Sequence, residues 1–405
     1  MNILVISNLF PPDAIGGYEI LCSQVAAALA HRGHRVSVLT SEPPAATGST
    51  HQALADANPS VRVRRELTLT APFGGGVPRS RTWRRTVGRR NADVTRRVLE
   101  QDRPDVVFIW SQLRLTLGAA QASERAGLPV CYTMNDPHLA GYAPRKPTLS
   151  PRGLVGALLD RGPYRSDTAR ALALENVTCI SDVVEEDLRR GGAPLPDPKI
   201  IHQGIPIERF PMKDDPGALR TPLRLLYAGQ LLDYKGPDVL LRAAARLRGE
   251  GGRSVRVSMV GGGPMRAELE ALASALSLEV DFVGAVEHGR MPQIYREHDV
   301  MAFTSTWREP FGLTHLEAMA SGTPVVSTAV GGQAAFLRDG ENALVVPPGD
   351  DARLAAALGT LIDSPPLARR LALGGRRTVE ESFTLDRYVE DLERWLRNAS
   401  LGRWN

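Results

Sequence analysis

The chain has 405 residues, too many for one ordinary hydrophobic core and suited to two domains. Its 43% hydrophobic and 23% charged content is typical of a globular protein, and the net charge is only +4. No apolar run approaches the length that spans a bilayer, and MNILVISNLF lacks the basic region of a signal peptide. Three cysteines lie in apolar runs, which favours core packing over a disulfide framework or a zinc site: Cys22, Cys131 and Cys179. We expect a protein of the reducing cytoplasm.

Short β-rich runs alternate with helical patterns from one end of the chain to the other. The runs are continuous and apolar, as expected for strands covered on both faces, and the helices between them predict parallel βαβ units. Each half is therefore predicted to be a doubly wound, Rossmann-like α/β domain. The first sheet is predicted at 2–7, 35–40, 61–66, 105–110, 129–134, 176–180 and 199–203, and the second at 223–228, 255–260, 280–284, 299–304, 323–327 and 343–346.

The stretch 206–224 is rich in proline, glycine and charge and predicts the hinge, with domains at 1–208 and 209–383. An amphipathic helix is predicted at 384–398, and residues 42–60 are predicted to form a long, mobile loop. Ligands of open α/β sheets bind beyond the carboxyl ends of the strands. The motifs below all follow predicted strands, so we expect them to line a deep cleft between the two domains.

The most informative segment is TSTWREPFGLTHLEAMASGTPVV at 304–326, in which seven residues separate Glu309 from Glu317. A β-branched run leads in, a turn with proline and glycine follows, and a helical pattern comes next. Glu309 is thus predicted in the strand-to-helix loop and Glu317 about one turn inside the helix. The amides of the loop and the positive end of the helix dipole suit an anion, and a nearby carboxylate can hold paired hydroxyls. The segment predicts a pocket for a phosphorylated sugar compound.

Five further loops are weaker candidates for the same pocket. Gly16 and Gly17 open a helix after the first strand, where backbone can approach a phosphate, although a simple tight turn explains them equally. Gln230 and Lys235 follow the first strand of the second half, and Lys235 can place an ammonium against a diphosphate. Gly261 lies in a glycine-rich loop that a simple helix entry also explains, and Val283 follows another strand, where backbone groups can face a base. Gly331 and Gly332 lie at a further strand-to-helix turn, which turn chemistry explains equally.

In the first half, YTMNDPH follows a predicted strand and carries Asn135, Asp136 and His138. His138 is interpreted as either a base or a surface residue. Metal ligation is not indicated, because the sequence shows no cluster of histidine and aspartate residues with tight spacing.

Nine arginines against three acids lie between Arg79 and Arg103. Two explanations of this excess are equally good. One is a solvated helix face, and the other is contact with an anionic membrane surface or an acidic acceptor. Nucleic acid is disfavoured, since only Trp83 interleaves with the arginines.

In this order, AGQLLDYKG, VGGGPMR, FVGAV, the glutamate segment, VGGQAAF and VVPPGD resemble the retaining glycosyltransferases of family 4, which have the GT-B fold. The resemblance covers nearly the whole chain and implies a metal-independent enzyme without a cofactor. Such an enzyme moves a sugar from a UDP- or GDP-linked donor to a hydroxyl of a glycolipid, saccharide or natural product. It also implies that residues 384–405 cross back onto the first domain, and that the protein is cytoplasmic or peripheral at the inner face of the membrane.

The same resemblance assigns roles to particular residues. Gly17 would donate its N–H to the donor phosphate, Lys235 would neutralise the diphosphate, and Glu317 would hold the two ribose hydroxyls. Glu309 would contact the donor sugar, and Asn135 and Asp136 would lie in the reacting region. The backbone N–H groups that would bind sugar hydroxyls and phosphate are those of Phe311, Gly312 and Leu313.

Two positions depart from the family pattern. Gln230 stands where the family usually has arginine, so Arg308 would have to compensate or the leaving group is held less firmly. Asn135 stands where the family often has histidine, which leaves donor preference open. A sugar-nucleotide epimerase of the same architecture and a non-catalytic sugar-nucleotide-binding protein remain as alternatives.

Overall fold

The computed structural model describes residues 1–42, 60–73, 80–144, 158–160 and 165–403. The chain divides into two compact units, Met1–His202 with Val389–Asn405, and Gln203–Tyr388. Most of the predicted mobile loop at 42–60 lies outside the described residues.

The first unit is built on a seven-stranded, all-parallel sheet with the order β3-β2-β1-β4-β5-β6-β7. The strands are β1 Asn2–Ile6, β2 Arg35–Ser41, β3 Val61–Leu67, β4 Val106–Ile109, β5 Val130–Met134, β6 Asn176–Cys179 and β7 Lys199–Ile200. Its helices are α1 Gly17–His31, α2 Arg81–Asp102, α3 Gly118–Arg125 and α4 Asp182–Arg190.

The second unit contains a six-stranded, all-parallel sheet with the order β10-β9-β8-β11-β12-β13. The strands are β8 Leu223–Ala228, β9 Val255–Val260, β10 Glu279–Gly284, β11 Val300–Phe303, β12 Val325–Ser327 and β13 Leu344–Val345. Its helices are α5 Pro237–Gly251, α6 Arg266–Ala275, α7 Met291–Glu297, α8 Leu313–Ala320, α9 Asp351–Asp363 and α10 Pro365–Ser382.

Each predicted β-rich run is a strand, and two parallel doubly wound sheets confirm the predicted α/β class. The expectation that every strand is covered on both faces is wrong for β3 and β10. Both lie at the edge of a sheet, and exposed and partly buried residues alternate along β10. Central strands such as β4 are fully buried because helices cover both sides. The three cysteines are buried and unpaired.

The last helix, α11 Leu385–Ser400, begins in the second unit and contributes its residues from Val389 onward to the first. There, the Trp395 ring packs edge-on against Phe108 with centroids 6.0 Å apart. Glu393 accepts hydrogen bonds from His34 at 3.0 Å and from Arg32 at 3.2 Å. Within the described part of the chain, no helix is both long and apolar enough to cross a membrane.

The strand order reverses direction at one point in each sheet, between β1 and β4 and between β8 and β11. Loops at the carboxyl ends of such neighbouring strands diverge and leave a crevice, which is where doubly wound folds bind ligands. The loop after β8 carries Lys235, and the loop after β11 carries Glu309. The topology therefore brings these two side chains to the same edge of the sheet.

Candidate active site

Lys235 and Glu309 form the centre of the candidate site. Lys235 ends a short 3-10 turn, Asp233–Lys235, and Glu309 lies in the loop between β11 and α8. The Lys235 Nζ atom lies 2.5 Å from Glu309 Oε1 and 2.7 Å from Oε2, so the ammonium bridges both carboxylate oxygens. An ammonium has three N–H donors, and this pairing uses two of them. The third is available to a phosphate oxygen.

The two loops are fastened to each other by side chains that the sequence did not single out. Ser305 Oγ donates to Glu309 Oε1 at 2.8 Å, and Thr304 Oγ1 donates to the Gly236 carbonyl at 2.6 Å. The Tyr234 carbonyl accepts from the backbone N–H of Thr306 at 2.9 Å. The relative position of ammonium and carboxylate is therefore set by the strand ends.

Glu317 lies on the buried face of α8, and two aromatic side chains hold its carboxylate. His288 Nε2 lies 2.7 Å from Oε1, and the Tyr295 hydroxyl donates to Oε2 at 2.8 Å. Burial by itself would lower the pKa of His288, but the Glu317 charge and hydrogen bond raise it above the usual histidine value. Burial and the Glu317 charge raise the pKa of Tyr295 well above its usual value. Tyr295 therefore stays a donor.

This environment restricts what Glu317 can do for a ligand. Glu317 is 6% exposed, and both of its carboxylate oxygens already accept a hydrogen bond from the protein. A carboxylate has about four lone-pair sites, so about two remain for hydroxyl groups of a ligand. The role of His288 and Tyr295 was not predicted from the sequence, because nothing in their spacing connects them to a residue of another helix.

The segment after Glu309 leads directly into α8. Gly312 is the N-cap residue with φ of +112°. The Phe311 ring is buried against Phe336 and Phe383, so only the backbone of Phe311 can face a ligand. Leu313 is the first residue of the helix and thus lies at the positive end of its dipole.

The turn at Gly331 and Gly332 supports this segment from beneath. A Cβ atom at Gly331 would lie 2.2 Å from the Glu309 nitrogen, and one at Gly332 would lie 2.2 Å from the Pro310 carbonyl oxygen. Gly332 N also donates to the Glu309 carbonyl at 2.7 Å. Close backbone packing accounts for both glycines.

His315, inside the glutamate segment, is fully buried and stays neutral. Ser327 Oγ donates to the Thr328 carbonyl at 2.7 Å and lies 2.8 Å from His315 Nε2, so the Nε2 atom carries the proton. Burial lowers the pKa of His315 to about 3. Its ring packs against Phe303 with centroids 4.2 Å apart, which makes it part of the support under α8.

The loops after β8, β9 and β10 lie side by side and carry the weaker candidates. The Gln230 side chain is exposed, and the backbone carbonyl of Gln230 accepts from the Tyr227 hydroxyl at 2.9 Å. Gly261 N donates to the Gly284 carbonyl at 2.8 Å, so that N–H is already used within the protein. Val283 is 40% exposed at the end of β10. Arg308, the suggested replacement charge, is half-buried beside Glu309.

An exposed aromatic pair adjoins Lys235. Tyr234 and Trp307 are 38% and 42% exposed, with ring centroids 4.8 Å apart. The Lys235 Nζ atom lies 5.8 Å from the centre of the Tyr234 ring. This pair was not predicted from the sequence, although Tyr234 precedes Lys235 and Trp307 precedes Arg308.

In the first unit, Gly16 is the N-cap of α1 and Gly17 its first residue. Gly16 N donates to Glu19 Oε2 at 2.9 Å, so this N–H is occupied. Glu19 is fully buried, and burial raises its pKa to about 7. A glutamate three residues after a helix N-cap is a capping signal that the sequence contained.

Asn135 and Asp136 follow β5 in the first unit. Asn135 is buried and its Nδ2 donates to the Trp110 carbonyl at 2.8 Å. Asp136 Oδ1 accepts from the His138 backbone at 2.7 Å and lies 2.6 Å from His138 Nδ1. Burial would raise the pKa of Asp136, but His138 lowers it below the usual aspartate value. These contacts hold the start of the 3-10 helix Pro137–Tyr142.

The site of the second unit thus combines a cation, two carboxylates and a helix N-terminus at one sheet edge. Such a set can bind a compound that carries both phosphate and hydroxyl groups. Among the described residues, no group of three or more His, Cys, Asp or Glu side chains is arranged to hold a metal ion.

Two family models match the chain in succession. The model described as Glycosyltransferase Family 4 matches residues 15–209, and that described as Glycosyl transferases group 1 matches residues 210–378.

Two bacterial relatives align over most of the chain. A D-inositol 3-phosphate glycosyltransferase of Actinosynnema mirum is 32% identical over 406 residues, covering 93% of this chain and 91% of that protein. A glycogen synthase of Mycobacterium tuberculosis is 28% identical over 396 residues, covering 95% and 91%.

Solved structures share the fold over the full length. Sucrose-phosphate synthase of Thermosynechococcus elongatus superposes with a TM-score of 0.74 at 23% identity, covering 99% of each chain. Anabaena HepE, in complex with UDP and glucose, superposes with a TM-score of 0.72 at 22% identity, covering 98% of this chain and 99% of that chain.

The fold and these relatives define a glycosyltransferase of the GT-B type, in the hexosyltransferase class. The chain belongs to glycosyltransferase family 4.

Proposed function

We propose that this enzyme transfers a sugar from a UDP-linked donor to an acceptor hydroxyl, with retention of the anomeric configuration and without a metal ion. The observation that carries the proposal is the Lys235–Glu309 pair at the carboxyl ends of β8 and β11, with distances of 2.5 and 2.7 Å. It supplies a fixed ammonium N–H donor and an acceptor of sugar hydroxyls at the point where doubly wound sheets bind ligands.

The reaction breaks the bond between the sugar C1 and the diphosphate oxygen, which leaves with the electron pair. The acceptor oxygen forms the new bond on the same face of the sugar, and the departing phosphate takes the acceptor's proton. Negative charge therefore grows on the leaving oxygen. The third N–H of Lys235 and the N-terminus of α8 would stabilise that charge, which gives the positive potential that a metal ion would otherwise supply.

Glu309 and Glu317 would bind hydroxyls rather than phosphate. Glu309 is 7% exposed and neutralised by Lys235, so it can accept from a sugar hydroxyl without repelling the diphosphate strongly. Glu317 retains about two lone-pair sites beyond its bonds to His288 and Tyr295, enough for two ribose hydroxyls. The preference for uridine is suggested by HepE, which was solved with UDP.

In the first unit, we assign Gly17 N to a donor phosphate oxygen, and Asn135 and Asp136 to positioning the loop after β5. Asn135 donates a hydrogen bond to the Trp110 carbonyl at 2.8 Å, which supports a positioning role for Asn135. The weaker donor contacts proposed are Gly16, Gln230, Gly261 and Val283.

The acceptor is proposed to be a hydroxyl of a glycolipid, a saccharide or a natural product, met by a cytoplasmic enzyme. The relatives' names mention two compounds of different kinds, D-inositol 3-phosphate and glycogen. Peripheral contact with the inner face of the membrane is proposed through exposed arginines of α2. Three of them are already paired with acids, Arg90 with Glu42, Arg96 with Asp93 and Arg97 with Glu66, so the contact would be weak.

The test is the release of nucleoside diphosphate from a panel of UDP- and GDP-sugars, with and without candidate acceptors. The proposal expects release from a UDP-sugar that rises with acceptor, a product of retained configuration and no loss of rate in a metal chelator. Conversion of the nucleotide sugar with no acceptor would instead identify an epimerase, and loss of rate in the chelator would refute metal independence. A thermal-shift panel of the same donors reports binding separately, because a ligand raises the melting temperature by mass action.

A further inference from the structure

The first unit contains a cavity of about 620 Å³ between α2, α3 and the segments 141–143 and 166–168. Its floor lies where the two helices touch. A Cβ atom at Gly118 would lie 1.9 Å from the Gly88 carbonyl oxygen, so only glycine allows this approach. Gly88 lies in the middle of α2, where glycine costs about 1 kcal/mol relative to alanine. The close contact of α2 and α3 leaves a floor without long side chains.

Arginine dominates the walls of this cavity. Arg81 lies 3.5 Å from Asp160, and both oxygens of Asp167 accept from Arg85 Nε, at 3.1 and 2.9 Å. These two acids therefore neutralise two of the arginines.

Three further arginines complete the wall: Arg84, Arg89 and Arg125. Arg84 lies over the Tyr142 ring, 4.9 Å from its centre. Within the described ranges, no carboxylate pairs with Arg84, Arg89 or Arg125, so the wall carries an excess of three positive charges. Like charges around one cavity repel each other, and an anion between them would relieve that repulsion.

We propose that this cavity binds the phosphate of a small phosphomonoester. The planar guanidinium group presents N–H donors in a fork that matches phosphate geometry, and a phosphomonoester carries close to two negative charges at pH 7. The volume lies in the range of small-molecule sites and exceeds what one phosphate needs, so the ester's organic part also fits. None of the lining residues is among those assigned to the donor, so the ligand is a second anion, beyond the proposed function.

The test compares two double variants that each remove two charges. The cavity variant is Arg89→Ala with Arg125→Ala. The control is Arg189→Ala with Arg190→Ala, which removes two exposed arginines of α4 that do not line the cavity. The probe is glycerol 3-phosphate, titrated by calorimetry into the full chain. We expect the cavity variant to bind at least tenfold more weakly than wild type and the control to stay within twofold, with similar melting temperatures for all three.

The same phosphate can belong to a soluble ester or to a lipid headgroup, and phosphatidylcholine vesicles with and without phosphatidic acid separate these sources. Binding of glycerol 3-phosphate that the cavity variant loses indicates a soluble ligand. Binding only to the phosphatidic acid vesicles, again lost in the cavity variant alone, indicates a lipid.

Absence of binding to both probes, or an equal loss in both double variants, overturns the proposal. Lys235→Ala should leave this binding unchanged, so failure of the donor assignment and failure of the cavity assignment are distinguishable.

Discussion

The buried hydroxyl of Tyr295 donates a 2.8 Å hydrogen bond to Oε2 of Glu317 and fixes the carboxylate that we assign to the ribose. Tyr295→Phe removes that bond and keeps the ring. A hydrogen bond to a charged group contributes about 1.5–3 kcal/mol, so we expect a loss of that order in unfolding free energy and a higher KM for the donor.

Tyr132 provides the matched control, because its buried hydroxyl donates to the Glu124 carboxylate at 2.7 Å in the first unit. Tyr132→Phe should destabilise the protein comparably and leave the donor KM unchanged. Equal KM values for the Tyr295 variant and wild type would argue against a ribose role for Glu317.

The His288–Glu317 pair should make stability depend on pH. Because the pKa of His288 is raised in the folded state, its contribution is complete below the unfolded value of 6.5. It is lost as pH rises through the folded pKa. The melting-temperature difference between wild type and His288→Gln should thus shrink between pH 6 and pH 9, as measured by thermal scans. His31→Gln, at an exposed residue of α1, is the control.

Glu19 should also make stability depend on pH. Burial raises its folded pKa from 4.5 to about 7, so the stability present below pH 4.5 is lost as pH rises through about 7. This shift corresponds to on the order of 3 kcal/mol. The neutral Glu19→Gln variant should gain melting temperature over wild type as pH rises from 5 to 8. A constant difference would contradict the buried carboxylate, and the exposed Glu268→Gln variant is the control.

The close packing of Gly331 beneath Glu309 predicts that a single methyl group disturbs the site. In Gly331→Ala, the new carbon would lie 2.2 Å from the Glu309 nitrogen, so the loop must move. A displacement of about 1 Å can cost on the order of 10² in rate, which we expect in kcat. Gly249→Ala is the control, because its Cβ meets nothing within 4 Å and should leave kcat unchanged. A wild-type kcat in Gly331→Ala would refute the role of this loop in positioning Glu309.

Sequence patterns predicted the sheets because apolar strand runs and helical periods are local properties. The sequence placed Lys235 and Glu309 after strands of the same half, and their contact depends on the strand order, which sets β8 beside β11. The partners of Glu317 could not be predicted, because His288 and Tyr295 reach it through the packing of α7 against α8. Local patterns also did not predict the hydrogen bond from Ser305 to Glu309 or the cavity that the arginines of α2 line.

The most direct test of the central claim is the rate of UDP release from a UDP-sugar by wild type and Lys235→Ala. Lys199→Ala, at an exposed lysine of the edge strand β7, is the control. Removal of one preorganised donor typically lowers the rate by ~10²–10³. The account predicts that loss for Lys235→Ala alone, with the melting temperatures of all three proteins similar. Turnover near the wild-type rate in Lys235→Ala would contradict the assignment of Lys235 to the leaving diphosphate.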